Sequence, residues 1–300
     1  MKLGKVFLGT ALAMVAATAI GQEQSRGGSG PHSAISEVDP TLPGHVIFRP
    51  ADLPRPTAQP LGVLVWGNGA CSDNPAPHAE HLLEIASHGY LVIASGYEPE
   101  EAARRAEARQ PPQEGQFPQP PTTAQDMIDA IDWAVSQNGL AQSKYRGLID
   151  LSAIAAAGHS CGGIQALEVG VDPRVQTVIG NNTGILPEDA DKIPGMMLGK
   201  DHLRELSRPV LYVQGGEEDI AYANGMDDFR QIDHIPAAIV NLPVGHGGTF
   251  DQPFGGAAAS ISVDWLDWRL RGDEAAGRTF AGENCRLCLV ADWTYDRKGF

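Results

Sequence analysis

The chain has 300 residues, 42% of them hydrophobic and 20% charged, which is enough apolar material for a sizeable core. Its formal charge of −15 repels phosphate backbones and anionic lipid, so no nucleic-acid partner is expected. Gly (35) and Pro (22) are frequent but fall mostly between apolar runs, which indicates many turns rather than disorder.

The N-terminus carries Lys2 and Lys5, then an apolar run from Val6 to Ile20 with small residues at Ala17-Thr18-Ala19 and Ala19-Ile20-Gly21. This pattern predicts a signal peptide over residues 1–21 and a secreted or periplasmic protein. The run is short for a bilayer span, so a membrane anchor is the weaker alternative and no stable membrane insertion is expected after removal of the signal. Loss of Lys2 and Lys5 leaves 20 basic against 37 acidic residues, about −17. Residues 22–42, rich in Gly, Ser, Gln and Pro, read as a flexible lead-in. Residues 43–300 read as one domain.

His45–Phe48 predicts an early strand. Leu61–Trp66 and Tyr90–Ala94 are continuous apolar runs, as expected of strands buried on both faces. Residues 78–88 have helical spacing between them. Residues 97–121 hold many Glu, Arg, Gln and Pro without an apolar period, and predict a long surface excursion. Thr122 or Thr123 can cap a helix carrying Met127, Ile128, Ile131 and Ala134. Ala153–Ala157 predicts a strand and Ile164–Leu167 a helix. Val175–Ile179, Pro209–Val213 and Ala237–Leu242 predict further strands, and residues 257–270 a last amphipathic helix with Ile261, Trp265 and Leu270. Strands alternating with helices imply an α/β class with a mainly parallel sheet and helices on both faces. Sites in such sheets lie at the carboxyl ends of strands. Trp66, Trp133, Trp265 and Trp268 read as core.

The sharpest motif is Gly158-His159-Ser160-Cys161-Gly162, between a strand-like and a helix-like run. That is the context of a nucleophile elbow, with Ser160 lifted above the sheet. A serine hydroxyl needs a base, and the base an orienting acid, in the chain order Ser, acid, His. Three histidines follow: His202, His234 and His246. His246 stands in a glycine-flanked loop just after the last strand-like run, whereas His202 and His234 have polar surroundings and read as surface residues. After Val213 come Glu217, Glu218 and Asp219, of which Asp219 lies deepest in the loop and is the preferred acid. A tetrahedral oxyanion needs two backbone N–H donors. One is expected at Cys161 and the other at Ala70, with Asn68 and Cys71 as close rivals. Asn181, Asn182 and Thr183 follow a strand near the site and could shape a substrate pocket. No G-x-G-x-x-G or P-loop occurs, so no cofactor is expected.

These pieces, with Ala86-Ser87-His88-Gly89-Tyr90, resemble the secreted α/β-hydrolases related to cutinase-like polyester hydrolases, chlorophyllases and dienelactone hydrolases. The resemblance spans roughly residues 45–270. It implies an α/β-hydrolase fold and a serine esterase with Ser160, Asp219 and His246 as triad, and it gives His88 a packing role. Polyester hydrolases typically carry Met after the serine and an aromatic residue in the oxyanion loop. Here those places hold Cys161 and small residues, so the likeness reaches mechanism more than substrate.

Four cysteines in an exported chain suggest two disulfides, with three possible pairings. Cys71 and Cys161 would both lie beside the oxyanion hole and could pair across it; two buried free thiols are the alternative. Cys285 and Cys288 form a C-x-x-C outside a thioredoxin-like context. They lack further ligands for a metal and read as a local disulfide pinning the tail. The expected substrate is a small or polymeric carboxylic ester, with a serine peptidase or a silent hydrolase-like binding protein as rivals.

Overall fold

The apolar runs become the centre of one sheet. The structure is a computed structural model that describes residues 27–55, 58–113, 116–191 and 193–300. The expected signal, residues 1–21, and the first part of the lead-in lie outside the described residues. The strands are β1 (Ala34–Glu37), β2 (His45–Pro50), β3 (Leu61–Gly67), β4 (Tyr90–Ser95), β5 (Ile149–His159), β6 (Val175–Asn181), β7 (Val210–Gln214), β8 (Ala237–Asn241) and β9 (Thr294–Lys298). They form one sheet in the order β1-β2-β4-β3-β5-β6-β7-β8-β9. The six from β4 to β8 run parallel, while β1, β2 and β9 pair antiparallel at the two margins. This is an α/β fold with a mostly parallel nine-stranded sheet.

The helices are α1 (Ala79–Ser87), α2 (Pro99–Ala108), α3 (Ala124–Gly139), α4 (Cys161–Val169), α5 (Tyr222–Gln231), α6 (Gly256–Arg271) and α7 (Glu274–Gly277). Strand side chains alternate between two apolar clusters, as the pleat requires. Val63, Val65, Ile154 and Ala156 pack with Met127 and Ile131 of α3, Leu167 of α4 and Phe229 of α5. Leu64, Trp66, Ala155 and Ala157 pack with Leu82 and Ile85 of α1 and with Ile261 and Trp265 of α6. Each large side chain buried this way contributes about 1.5–3 kcal/mol, so both helix layers hold the sheet firmly. Among the described residues no helix is long and apolar enough to cross a membrane.

Three expectations need correction, and one strand was not foreseen. Residues 27–42 are not a loose lead-in: β1 pairs with β2, Ala34 and Leu42 are buried, and Ser29 bonds Glu84 of α1. These ties use the backbone and single small or polar side chains, so the Gly- and Ser-rich composition hides them. The excursion 97–121 contains α2, which presents only Ala102 to the interior, so no apolar period marks it. His202 is half-buried rather than a free surface residue, its Nε2 bonding the carbonyl of Leu167 at 3.1 Å, whereas His234 is exposed as expected, with its Nε2 2.8 Å from the carbonyl of Leu206. The C-terminal tail adds β9 to the sheet, and its residues 294–298 alternate too weakly to announce a strand.

Candidate active site

The loops that follow β3, β5, β7 and β8, four parallel strands, bring the chemistry-bearing residues to the carboxyl edge of the sheet. Ser160 stands between the last residue of β5 and the first of α4, with φ 53° and ψ −121°. A left-handed φ costs a non-glycine residue about 1–3 kcal/mol and persists only where the surroundings impose it. The elbow is held by the Ser160 N–H donating to Asn181 O at 2.9 Å and by Thr183 Oγ1 donating to Ser160 O at 2.7 Å. It also needs small neighbours. A Cβ on Gly158 would lie 2.2 Å from Gly162 O, and one on Gly162 would lie 2.1 Å from Gly67.

His246 and Asp219 reach the same point from the β8 and β7 loops. The His246 Nε2 to Ser160 Oγ distance is 3.0 Å, and the Nδ1 to Asp219 Oδ1 distance is 2.6 Å. Asp219 is 3% exposed and fully hydrogen-bonded. Oδ1 also accepts from the Ala221 N–H at 2.9 Å, while Oδ2 accepts from the Gly215 N–H at 3.0 Å and from Asn182 Nδ2 at 2.9 Å. Burial alone would raise its pKa; the donors His246, Ala221, Gly215 and Asn182 outweigh it, and the carboxyl is held below its usual range. An ionised Asp219 fixes the His246 proton on Nδ1 and leaves Nε2 free to accept from the serine hydroxyl. Glu217 and Glu218, the competing carboxylates, stand on the turn that leads to it.

Ala70 and Cys71 both have left-handed backbones, with φ of 55° and 46°. The Cys71 N–H is already donated to Asn68 O at 3.1 Å. The Asn68 side chain is fully buried and braces the loop, donating to Ser72 O at 2.8 Å and Ser95 O at 2.6 Å. The N–H groups of Ala70 and Cys161 have no acceptor among the described residues, which leaves them open to a substrate oxygen. A disulfide joins Cys71 to Cys161, Cα atoms 5.2 Å apart, and a second joins Cys285 to Cys288.

Two cavities flank the elbow. One of about 400 Å³ touches Ala70 and Cys161 and is walled by Phe117, Pro121, Ile193 and Met196. The other, about 380 Å³, is lined by Gly69, His78, His159, Gly247 and Phe250. A larger cavity, about 1040 Å³, runs beside Gln165 and Glu168 and touches none of Ser160, Asp219 or His246. Its size is therefore no guide to the chemistry. Among the described residues no group of three His, Cys, Asp or Glu is arranged to hold a metal ion.

A scan against protein-family models finds no match to the chain, and a search of curated proteins finds none either.

The structure thus brings Ser160, Asp219, His246, Ala70 and Cys161 to one edge. Asn182 and Thr183 support the acid and the elbow from below. Two residues went unread. His159 was legible only as the variable place of the motif, and His78 lies on the chain before α1 with no pattern to mark it. Both stand behind His246.

Proposed function

We propose that the protein is an exported serine hydrolase of the α/β-hydrolase fold that cleaves carboxylic esters. The observation that carries this reading is the continuous hydrogen-bonded chain Ser160–His246–Asp219, set on a strand–turn–helix elbow in the order Ser, Asp, His. The hydrogen-bond reach of both contacts meets the geometric requirement for a nucleophile with its base and orienting acid.

In the first half-reaction Ser160 Oγ attacks the ester carbonyl and its proton passes to His246 Nε2. Asp219 stays ionised and holds the imidazolium. The carbonyl oxygen becomes an oxyanion, received by the N–H groups of Ala70 and Cys161. Collapse breaks the bond to the alcohol oxygen, which takes the proton from His246. Water then attacks the acyl-enzyme with His246 again as base, releasing the acid and restoring Ser160. The cavity beside Ala70 and Cys161 is walled by Phe117, Pro121, Ile193 and Met196 and suits an apolar acyl group. Two disulfides and the signal-like residues 1–21 support export.

Hydrolysis of p-nitrophenyl esters, compared with peptide p-nitroanilides, tests the reading. Ester turnover well above anilide turnover is expected. Preferential anilide cleavage would make the protein a peptidase. Turnover of neither substrate by folded protein would contradict the assignment.

A further inference from the structure

His159 and His78 make no hydrogen bond to Ser160 or Asp219 among the described residues, yet they form a second polar chain directly behind the base. His159 Nε2 lies 2.9 Å from the carbonyl oxygen of His246, and His78 Nε2 lies 3.1 Å from His159 Nδ1. A carbonyl oxygen can only accept, so His159 carries its proton on Nε2 and presents Nδ1 as an acceptor. His78 must then donate from its own Nε2. Its Nδ1 is left unprotonated and buried without a partner, which is consistent with that assignment. Each ring is neutral, and the proton positions of both are fixed by one carbonyl.

The surroundings favour this state. Phe250 packs against all three neighbouring imidazoles, with centroid distances of 4.8 Å to His159, 5.0 Å to His78 and 5.2 Å to His81. Trp66 packs against His78 at 5.3 Å and His81 at 5.1 Å. Burial disfavours the charged imidazoles and strengthens a hydrogen bond made in their place.

The loop carrying His246 needs such a tie. Gly245 and Gly248 have φ of 72° and 61°, and a Cβ at Gly245 or Gly247 would meet nothing within 4 Å, so side-chain packing does not fix this stretch. Gly245 is anchored by its N–H to Gly215 O at 2.8 Å and by Asn182 Nδ2 to its own oxygen at 3.0 Å. Those bonds hold the residue before the base. The peptide of His246 itself is held by His159.

We infer that His159, oriented by His78, is a positioning residue that fixes the main chain of His246 so that its imidazole spans Ser160 and Asp219. This rests on the hydrolase reading above.

Imidazole nitrogen NMR on the folded protein and steady-state kinetics test it together. The wild type is expected to show His78 and His159 as neutral Nε2–H tautomers at pH 7, and the downfield Nδ1 proton of His246 is expected to be lost in His159→Phe. Gln at 159 keeps a donor in place of the imidazole Nε2–H. Hence His159→Gln should retain most of the wild-type kcat, while His159→Phe falls about 100-fold in kcat with a much smaller change in KM. His78→Phe, which frees the His159 ring to turn, should fall between the two. An Nδ1–H or charged His159, an unchanged His246 proton in His159→Phe, or equal losses in the Gln and Phe variants would overturn the inference. A wild type that turns over no ester but keeps the expected spectra would overturn the hydrolase reading and not the geometry, so the two failures are distinguishable.

Discussion

Cys71 and Cys161, 90 residues apart in sequence, are joined by a disulfide, and each belongs to one side of the proposed oxyanion hole. In the proposed mechanism Cys161 would supply one N–H from the start of α4, and Cys71 follows Ala70, which would supply the other. The bond therefore clamps two loops from different strands at the place where a fraction of an ångström matters to an oxyanion. It is also braced from the side: Gln165 Nε2 lies 2.9 Å from Cys71 Sγ, and Thr122 donates to Cys71 O at 2.9 Å.

Replacement of this pair by serines should lower both stability and turnover. Crosslinking across so long a loop contributes about 2–4 kcal/mol through the unfolded state. The Cys285–Cys288 bond closes a loop of separation 3 and should contribute less. Urea unfolding of Cys71→Ser/Cys161→Ser and Cys285→Ser/Cys288→Ser, each alongside ester kinetics, checks this. Equal stability losses, or an unchanged kcat in the first variant, would speak against the clamp.

Asn182 is expected to matter through the acid. Its Nδ2 donates both to Asp219 Oδ2 and to Gly245 O, so one side chain joins the acid loop to the base loop. A hydrogen bond to a charged group contributes about 1.5–3 kcal/mol, and Asn182→Ala should reduce kcat/KM by roughly 10-fold or more. Asp219→Asn should cost far more, on the order of 10⁴-fold in kcat, because it imposes the wrong imidazole tautomer. Kinetics of both variants decide whether the ranking holds.

Stability should fall in mild acid. Burial pushes His78 and His81 down to about 3 and His159 down to about 4. Unfolded imidazoles titrate near 6.5, so below that pH the unfolded chain binds protons that the folded chain refuses, and stability drops as pH is lowered toward 4. Asp228 acts in the opposite sense. Burial lifts it to about 6 despite Lys200, so its contribution is greatest at low pH and is lost as pH rises through 6. Asp219, held below its usual range, adds stability above the unfolded carboxylate pKa that is lost as pH falls through its folded value. Burial also raises Asp264, which acts in the same sense as Asp228, and the three imidazoles outweigh these two carboxyls. Urea midpoints measured from pH 7 to 4.5 should therefore decline, and His81→Phe, which removes a buried ring with both nitrogens unpartnered, should flatten the decline. A midpoint that rises toward pH 4.5 would contradict this.

The apolar cavity beside Ala70 predicts an acyl preference. With a constant p-nitrophenyl leaving group, kcat/KM should rise from acetate to medium chains. Met196→Trp should lower the ratio of octanoate to acetate turnover by partly filling about 400 Å³ of space. A ratio unaffected by Met196→Trp would place the acyl group elsewhere.

Much of this was legible in the sequence because the relevant signals are local. Continuous apolar runs gave the parallel strands, and the crowding at Gly158 and Gly162 leaves a recognisable glycine pattern around Ser160. Asp219 and His246 followed from chain order and from glycines at strand ends. What escaped depends on contacts distant in the chain. β1 is defined by pairing with β2, α2 by a single buried Ala102, and the role of His78 by a neighbour 81 residues away. No periodicity encodes such pairings.

The most direct measurement is intact-mass and peptide mass spectrometry after treatment with a fluorophosphonate. One adduct on Ser160, formed in the wild type and absent from folded Ser160→Ala, is the expected result. Folded wild-type protein that takes up no adduct, or takes it up equally after Ser160→Ala, would contradict the assignment of Ser160 as an activated nucleophile.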